Sequence, residues 1–167
     1  MYAQSDQSAL GTPATAEQIK AQDITVLPDG TGLPNGHGTP AEGEKVFQQK
    51  CAACHGANGE GNQVGPALVG GVGSLASSKP MKTVGSYWPY ATTVWDYIHR
   101  AMPQNSPGSL SADEIYAVTA FVLNRNEIIA RDAVMNKETL PKVRMPNRDG
   151  FVPDARPDTK NATTPSK

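Results

Sequence analysis

The chain has 167 residues, a formal net charge of −1, 16 glycines, 14 prolines, 38% hydrophobic residues and only 6% aromatics. That length suits one domain with a modest core, and near-neutral charge offers no footing for nucleic acid or an anionic membrane surface. No apolar run approaches the roughly 18–20 residues that span a bilayer, and the glycine and proline content predicts many loops.

Met1-Tyr2-Ala3-Gln4-Ser5 leads straight into polar sequence, so no signal peptide is visible. Residues 1–39 read as an extended N-terminal arm. Thr15-Ala16-Glu17-Gln18-Ile19 can begin one short helix, with Thr15 as cap and Gln18 closing a capping box. The following Pro28-Asp29-Gly30-Thr31-Gly32-Leu33-Pro34-Asn35-Gly36 is turn chemistry throughout. Between them, Ile24, Val26 and Leu27 give the arm an apolar cluster with which to lie against the globule.

Thr39-Pro40-Ala41-Glu42 is a helix start, with a capping Thr, Pro at the first helical position and Glu at the third. The helix is expected to run from Pro40 to about Ala52, with Gly43 and Phe47 one above the other on one face. A glycine inside a helix costs roughly 1 kcal/mol relative to Ala. It is tolerable where a second helix must approach closely.

That helix delivers Cys51-Ala52-Ala53-Cys54-His55, which reads as the attachment site of a c-type haem. Each thiol can add to one vinyl group of the porphyrin, and the turn then brings the His55 ring to the iron. A redox disulfide and half a zinc site are the competing readings. The chain has no other Cys, and His37 and His99 show no paired spacing, which disfavours zinc. The alternating strand–helix pattern of a thioredoxin-like protein is missing too. Because this motif receives haem outside the bacterial cytoplasm, a leader is expected to have been removed.

After His55 an irregular loop, Gly56-Ala57-Asn58-Gly59-Glu60-Gly61, leads to Gly65-Pro66-Ala67-Leu68. Pro66 is either a simple turn residue or the carbonyl that accepts a bond from the second His55 nitrogen and fixes its orientation. Residues 70–86 promise little regular structure. Tyr87-Trp88-Pro89-Tyr90 concentrates aromatics that could meet haem propionates or simply fill core. Thr92 or Thr93 is expected to cap a helix through Ala101, ended by Pro103, with Trp95 in the core. Ser111-Ala112-Asp113-Glu114 is a second capping box, opening a helix to about Asn126. Its buried stripe is Ile115, Val118, Thr119, Val122 and Leu123, with Phe121 beside it. From Glu127 regularity fades into an arm, and the tail from Pro153 has the composition of a disordered segment.

Gly43, Phe47, the Cys51–His55 motif, Gly65-Pro66-Ala67-Leu68, a Met-Pro pair and a helix with Val118 and Phe121 resemble class I cytochrome c in that order. The likeness covers about residues 40–126. It implies an all-α fold of three to five short helices around one covalent haem c, with Gly43 and Phe47 packed on Val118 and Phe121. The chain would then divide into the arm 1–39, a cytochrome c domain 40–126, and a C-terminal arm and tail 127–167 wrapping it. It also implies a Met as sixth ligand. Met102, shortly before the last helix, matches the family position. Met145, within the C-terminal arm, is the rival, and Met102 is favoured.

A narrower likeness rests on Val26-Leu27-Pro28-Asp29-Gly30-Thr31-Gly32-Leu33-Pro34, Gly85-Ser86-Tyr87-Trp88-Pro89-Tyr90-Ala91-Thr92 and the stretch from Leu140 to Phe151. It resembles the cytochrome subunits and electron acceptors of bacterial sulfite and sulfane dehydrogenases. That implies a periplasmic carrier of single electrons, not itself an enzyme. Its donor would be a molybdenum enzyme, and a cytochrome or oxidase would take the electron onward. The haem-binding set is then Cys51, Cys54, His55, Pro66 and Met102, with His55 and Met102 on the iron. The alternative is a peroxidase-like enzyme or a sensor with an open sixth position, for which His99 is the available distal acid–base group.

Overall fold

The computed structural model describes residues 11–153. The readings for the first residues and for the tail beyond Pro153 therefore lie outside the described residues. Among the described residues five α-helices carry the fold: α1 (Ala16–Gln22), α2 (Pro40–Lys50), α3 (Ala52–His55), α4 (Ala91–Ala101) and α5 (Ala112–Arg125). The expected all-α class holds. Among the described residues, regular strand is limited to an antiparallel ribbon of β1 (His37–Gly38) and β2 (Met135–Asn136), pairing His37 with Asn136.

Helix α5 is the centre of the molecule. Every residue from Ile115 to Leu123 is buried, so all its faces are covered, not only the predicted stripe. Ser111 and Glu114 close the predicted capping box at its start. Thr39 and Glu42 do the same for α2. The two helices meet where the sequence places a glycine. A Cβ at Gly43 would fall onto the Ala117 carbonyl, so only a glycine lets the α2 backbone lie against α5 at that point. One turn later the Phe47 and Phe121 rings meet at 4.9 Å between centroids, tilted by 42°. Steric permission at Gly43 and apolar burial at Phe47, whose side chain is fully buried, thus act on one seam.

Two helix boundaries differ from expectation. α2 does not continue to Ala52, because Cys51 leaves helical geometry at φ −123°. The chain then restarts as the single-turn α3. α4 begins at Ala91 behind Tyr90, which makes no side-chain cap. Thr92 is buried instead and donates its hydroxyl to the Pro28 carbonyl at 3.2 Å. A cap was expected because Thr suits that position; here the hydroxyl serves to tie down the N-terminal arm.

Both flanking segments contribute to the same core. Val26 and Leu33 are buried, while Ile24 and Leu27 stay exposed. The Val26 N–H donates to Asp96 of α4 at 3.2 Å, and the Tyr116 hydroxyl donates to the Pro34 carbonyl at 2.9 Å. From the other end, Met135, Leu140 and Met145 are buried. α1 carries its predicted capping box but buries none of its residues.

Candidate cofactor site

The break at Cys51 shapes the site. Its N–H still bonds the Phe47 carbonyl at 2.8 Å, and its own carbonyl accepts from Cys54 at 3.1 Å and His55 at 3.0 Å. Cys51, Cys54 and His55 therefore sit on one tight turn fixed to the end of α2. Both cysteines are free thiols. Cys51 is half-buried, and burial, with the neighbouring Cys54 thiol as a lesser cause, pushes its pKa up to about 11. Cys54 is exposed.

The structure brings Pro66 to His55. The imidazole Nδ1 lies 2.8 Å from the Pro66 carbonyl oxygen. That oxygen can only accept, so Nδ1 carries the proton and Nε2 is the nitrogen left to bind a metal. Gly65 permits the approach: a Cβ there would meet the Cys54 carbonyl at 2.7 Å and the imidazole Cε1 at 3.2 Å.

The loop that carries Pro66 is tied by polar contacts. Gly61 donates to the His55 carbonyl at 2.7 Å, and the N–H groups of Leu68 and Val69 share the Gly59 carbonyl. Asn62 accepts from Val64 and Gly65 and donates to the Ala53 carbonyl at 3.0 Å. Gln48 reaches the Ala57 carbonyl at 2.7 Å. At the far end, Asn126 bonds both Leu68 and Gly70. Asn62 and Asn126 carried no signal in the sequence, since one asparagine in a glycine-rich loop and one at a helix end read as ordinary turn chemistry.

Met102 lies on a different element, as the C-terminal cap of α4, where its N–H bonds the Ile98 carbonyl at 3.0 Å. Its side chain is half-buried. Met145 is enclosed in the hydrophobic core at 1% exposure. His99 packs its ring on Trp95 at 5.0 Å, with a buried Nδ1 that has no hydrogen-bond partner among the described residues. Of the aromatics at 87–90, Tyr87 meets Phe151 and Trp88 meets Tyr97, both edge-on, while Arg148 lies over Tyr90.

These residues fit a covalently held porphyrin and fit a bare metal poorly. Two unbonded thiols and an imidazole with a fixed tautomer share one turn. Among the described residues, no group of three or more His, Cys, Asp or Glu is placed to hold an ion alone. Among the described residues, too, no helix is long and apolar enough to cross a membrane.

Comparison with known proteins agrees. The profile of the cytochrome c family matches residues 40–126. Among solved structures, the chain is similar to one in the crystal structure of the sulfane dehydrogenase SoxCD from Paracoccus pantotrophus. The two share 45% identity over 96% of this chain and 81% of that one, with a TM-score of 0.82. A thiosulfate dehydrogenase, TsdBA from Marichromatium purpuratum, matches over 51% of this chain and 17% of that one, at 25% identity and a TM-score of 0.38. The chain belongs to the cytochrome c family, whose members carry covalent haem c and transfer electrons.

Proposed function

We propose that this protein is a periplasmic monohaem cytochrome. It would accept single electrons from a molybdenum-dependent sulfur-compound dehydrogenase and pass them to a further cytochrome or an oxidase. The observation that carries the reading is the 2.8 Å contact between His55 Nδ1 and the Pro66 carbonyl, set on one turn with Cys51 and Cys54. That contact leaves Nε2 free and holds the ring in a fixed direction, as an axial ligand requires. Cys51 and Cys54 would hold the porphyrin by thioether bonds. Haem supplies the one-electron Fe(III)/Fe(II) couple. The chain's own residues orient the imidazole and keep its proton on Nδ1, and a methionine would supply the second ligand to the iron.

Met102 is the better candidate for that second position. Met145 is buried in the core at 1% exposure, which supports a packing role for it. Met102 keeps an open face and has its backbone anchored by α4 on one side and by buried Pro103 on the other. A thioether opposite an imidazole raises the potential and, with both axial positions filled, suits a carrier that binds no substrate. The donor class is supported by the likeness to the sulfane dehydrogenase structure, which spans nearly the whole chain and so is not confined to the cytochrome domain, 40–126. The periplasm follows from where bacteria attach haem to this motif.

The test is direct. The protein matured with haem should gain the mass of one haem, retained under denaturation, and Cys51→Ser or Cys54→Ser should lose most holoprotein. Haem that extracts fully into acidified organic solvent would overturn the attachment. For function, the oxidised protein should show a Met–iron charge-transfer band, bind no carbon monoxide when reduced, and be reduced by a molybdenum sulfite or sulfane dehydrogenase with its substrate.

A further inference from the structure

Asn126 ends α5 with its side chain buried at 8% exposure. Both amide atoms are bonded. Oδ1 accepts from the Gly70 N–H at 3.0 Å, and Nδ2 donates to the carbonyls of Leu68 at 3.1 Å and Val122 at 2.9 Å. These partners fix which way the amide points, because an N–H needs the oxygen and a carbonyl needs the nitrogen. The Gly85 backbone closes over the group, and a Cβ there would meet Asn126 Cβ at 2.9 Å. One side chain thus joins the end of the central helix to a loop more than fifty residues away in sequence.

That loop carries Pro66, and Pro66 is exposed, so packing does not fix its carbonyl. Its place is set by the ties on either side. The bonds from Leu68 and Val69 to Gly59 stay within the loop and shape it without anchoring it. Asn62 ties the preceding stretch to α3 through Ala53. On the following side, Thr83 reaches the Gly70 carbonyl at 2.6 Å, and Asn126 makes two bonds that lead directly to α5. Since α5 also packs on α2, and α2 ends at Cys51, Asn126 references the Pro66 carbonyl to the same frame that holds His55.

We propose that Asn126 is a positioning residue for the axial imidazole. It holds the Pro66 carbonyl in line with His55 Nδ1–H and thereby sets how electron-rich the ligand is. The inference rests on the reading of His55 as the iron ligand. A strong Nδ1–H bond makes an imidazole a better donor, which favours the oxidised iron and lowers the potential. Without Asn126, the loop between Leu68 and Gly70 loses its bonds to α5, the Pro66 carbonyl drifts from line, and the potential rises.

The experiment compares holoprotein with Asn126→Leu, which is close in size and makes no hydrogen bonds, and with Leu140→Ala. The latter removes a fully buried side chain from the C-terminal arm and no hydrogen bond of the loop. Two quantities are read: the reduction potential, and the NMR shift of the His55 Nδ1 proton in the reduced protein. Asn126→Leu should raise the potential and move that resonance upfield, while Leu140→Ala lowers stability and moves neither. If Asn126→Leu does not fold, Asn126→Ser should show both shifts in the same direction. Equal shifts in Leu140→Ala, or none in the Asn126 variants, would overturn the positioning role. Parent protein without thioether-bound haem would instead sink the reading of Cys51–His55 itself, before any variant is compared.

Discussion

The α2–α5 seam and the loop from Gly56 to Gly70 hold the two sides of one site, by opposite means. The seam is apolar and close: Gly43 lets the backbones meet, and Phe47 and Phe121 fill the gap beside it. The loop has little to bury. Ala57, Asn58, Asn62 and Pro66 are exposed, and Val64 is 76% exposed. It is held by backbone and amide hydrogen bonds, each with a net worth of about 0.5–1.5 kcal/mol. Burial sets the frame through shape and apolar area, whereas directed bonds fix one carbonyl against one imidazole. The division implies that stability and electronic tuning respond to different substitutions.

The two Met-Pro pairs give the widest separation between those responses. Met145→Ala removes a fully buried side chain and should cost about 2–5 kcal/mol, as large-to-small changes in cores do. Its oxidised spectrum should stay that of the parent. Met102→Ala should abolish the Met–iron band, lower the potential and open the iron to carbon monoxide. Spectra and denaturant midpoints on both variants check this. Reversed behaviour would make Met145 the ligand and Met102 the packing residue, and the division between frame and tuning would no longer follow burial.

The seam can be probed on its own through Gly43→Ala. Ala is the better helix former by roughly 1 kcal/mol, so an unconstrained site would gain stability. Here the new Cβ lands on the Ala117 carbonyl, and α2 must move off α5. Overpacking of this kind costs about 1–3 kcal/mol, so a net loss of stability is expected with little change in spectrum. A variant as stable as the parent would show that the seam is looser than its geometry.

How much of this was legible in the residues follows the same division. The frame was readable because burial and capping leave periodic marks: Thr39 with Glu42, Ser111 with Glu114, and Gly43 one turn before Phe47. The attachment turn was readable because thiols and imidazole need fixed spacing, while for Pro66 the residues left a plain turn and a bond to His55 both open. The unbroken burial of α5 was not, since residues outside its predicted stripe, such as Tyr116, are covered by segments distant in sequence, including the chain at Pro34. Nor was the start of α4. Thr92 has the chemistry of a cap, and only the fold shows its hydroxyl bonded to Pro28. Asn62 and Asn126 left no trace because their partners are backbone groups, which every residue carries.

The smallest expected effect concerns the exposed side of the attachment turn, where Ala53, Cys54, Ala57 and Asn58 are exposed, and the following loop, where Val64 is 76% exposed. Charge nearby is balanced, since Arg125 bonds Asn58 at 3.2 Å and Glu60 accepts from the Asn58 N–H at 2.7 Å. With a net charge of −1, the chain has little long-range field to steer a partner. If electrons enter across this patch, association should depend on contact more than on attraction. Raising salt to ~0.2 M shortens the screening length below about 10 Å, and the rate with the dehydrogenase should then change less than about tenfold. Val64→Asp, which puts a charge on an exposed apolar side chain of this face without touching the Pro66 contact, should slow the reaction at every salt concentration and leave the spectrum alone. Stopped-flow reduction across a salt series measures both. A rate that falls by orders of magnitude with salt, while Val64→Asp is silent, would place the entry point on another, charged face of the molecule.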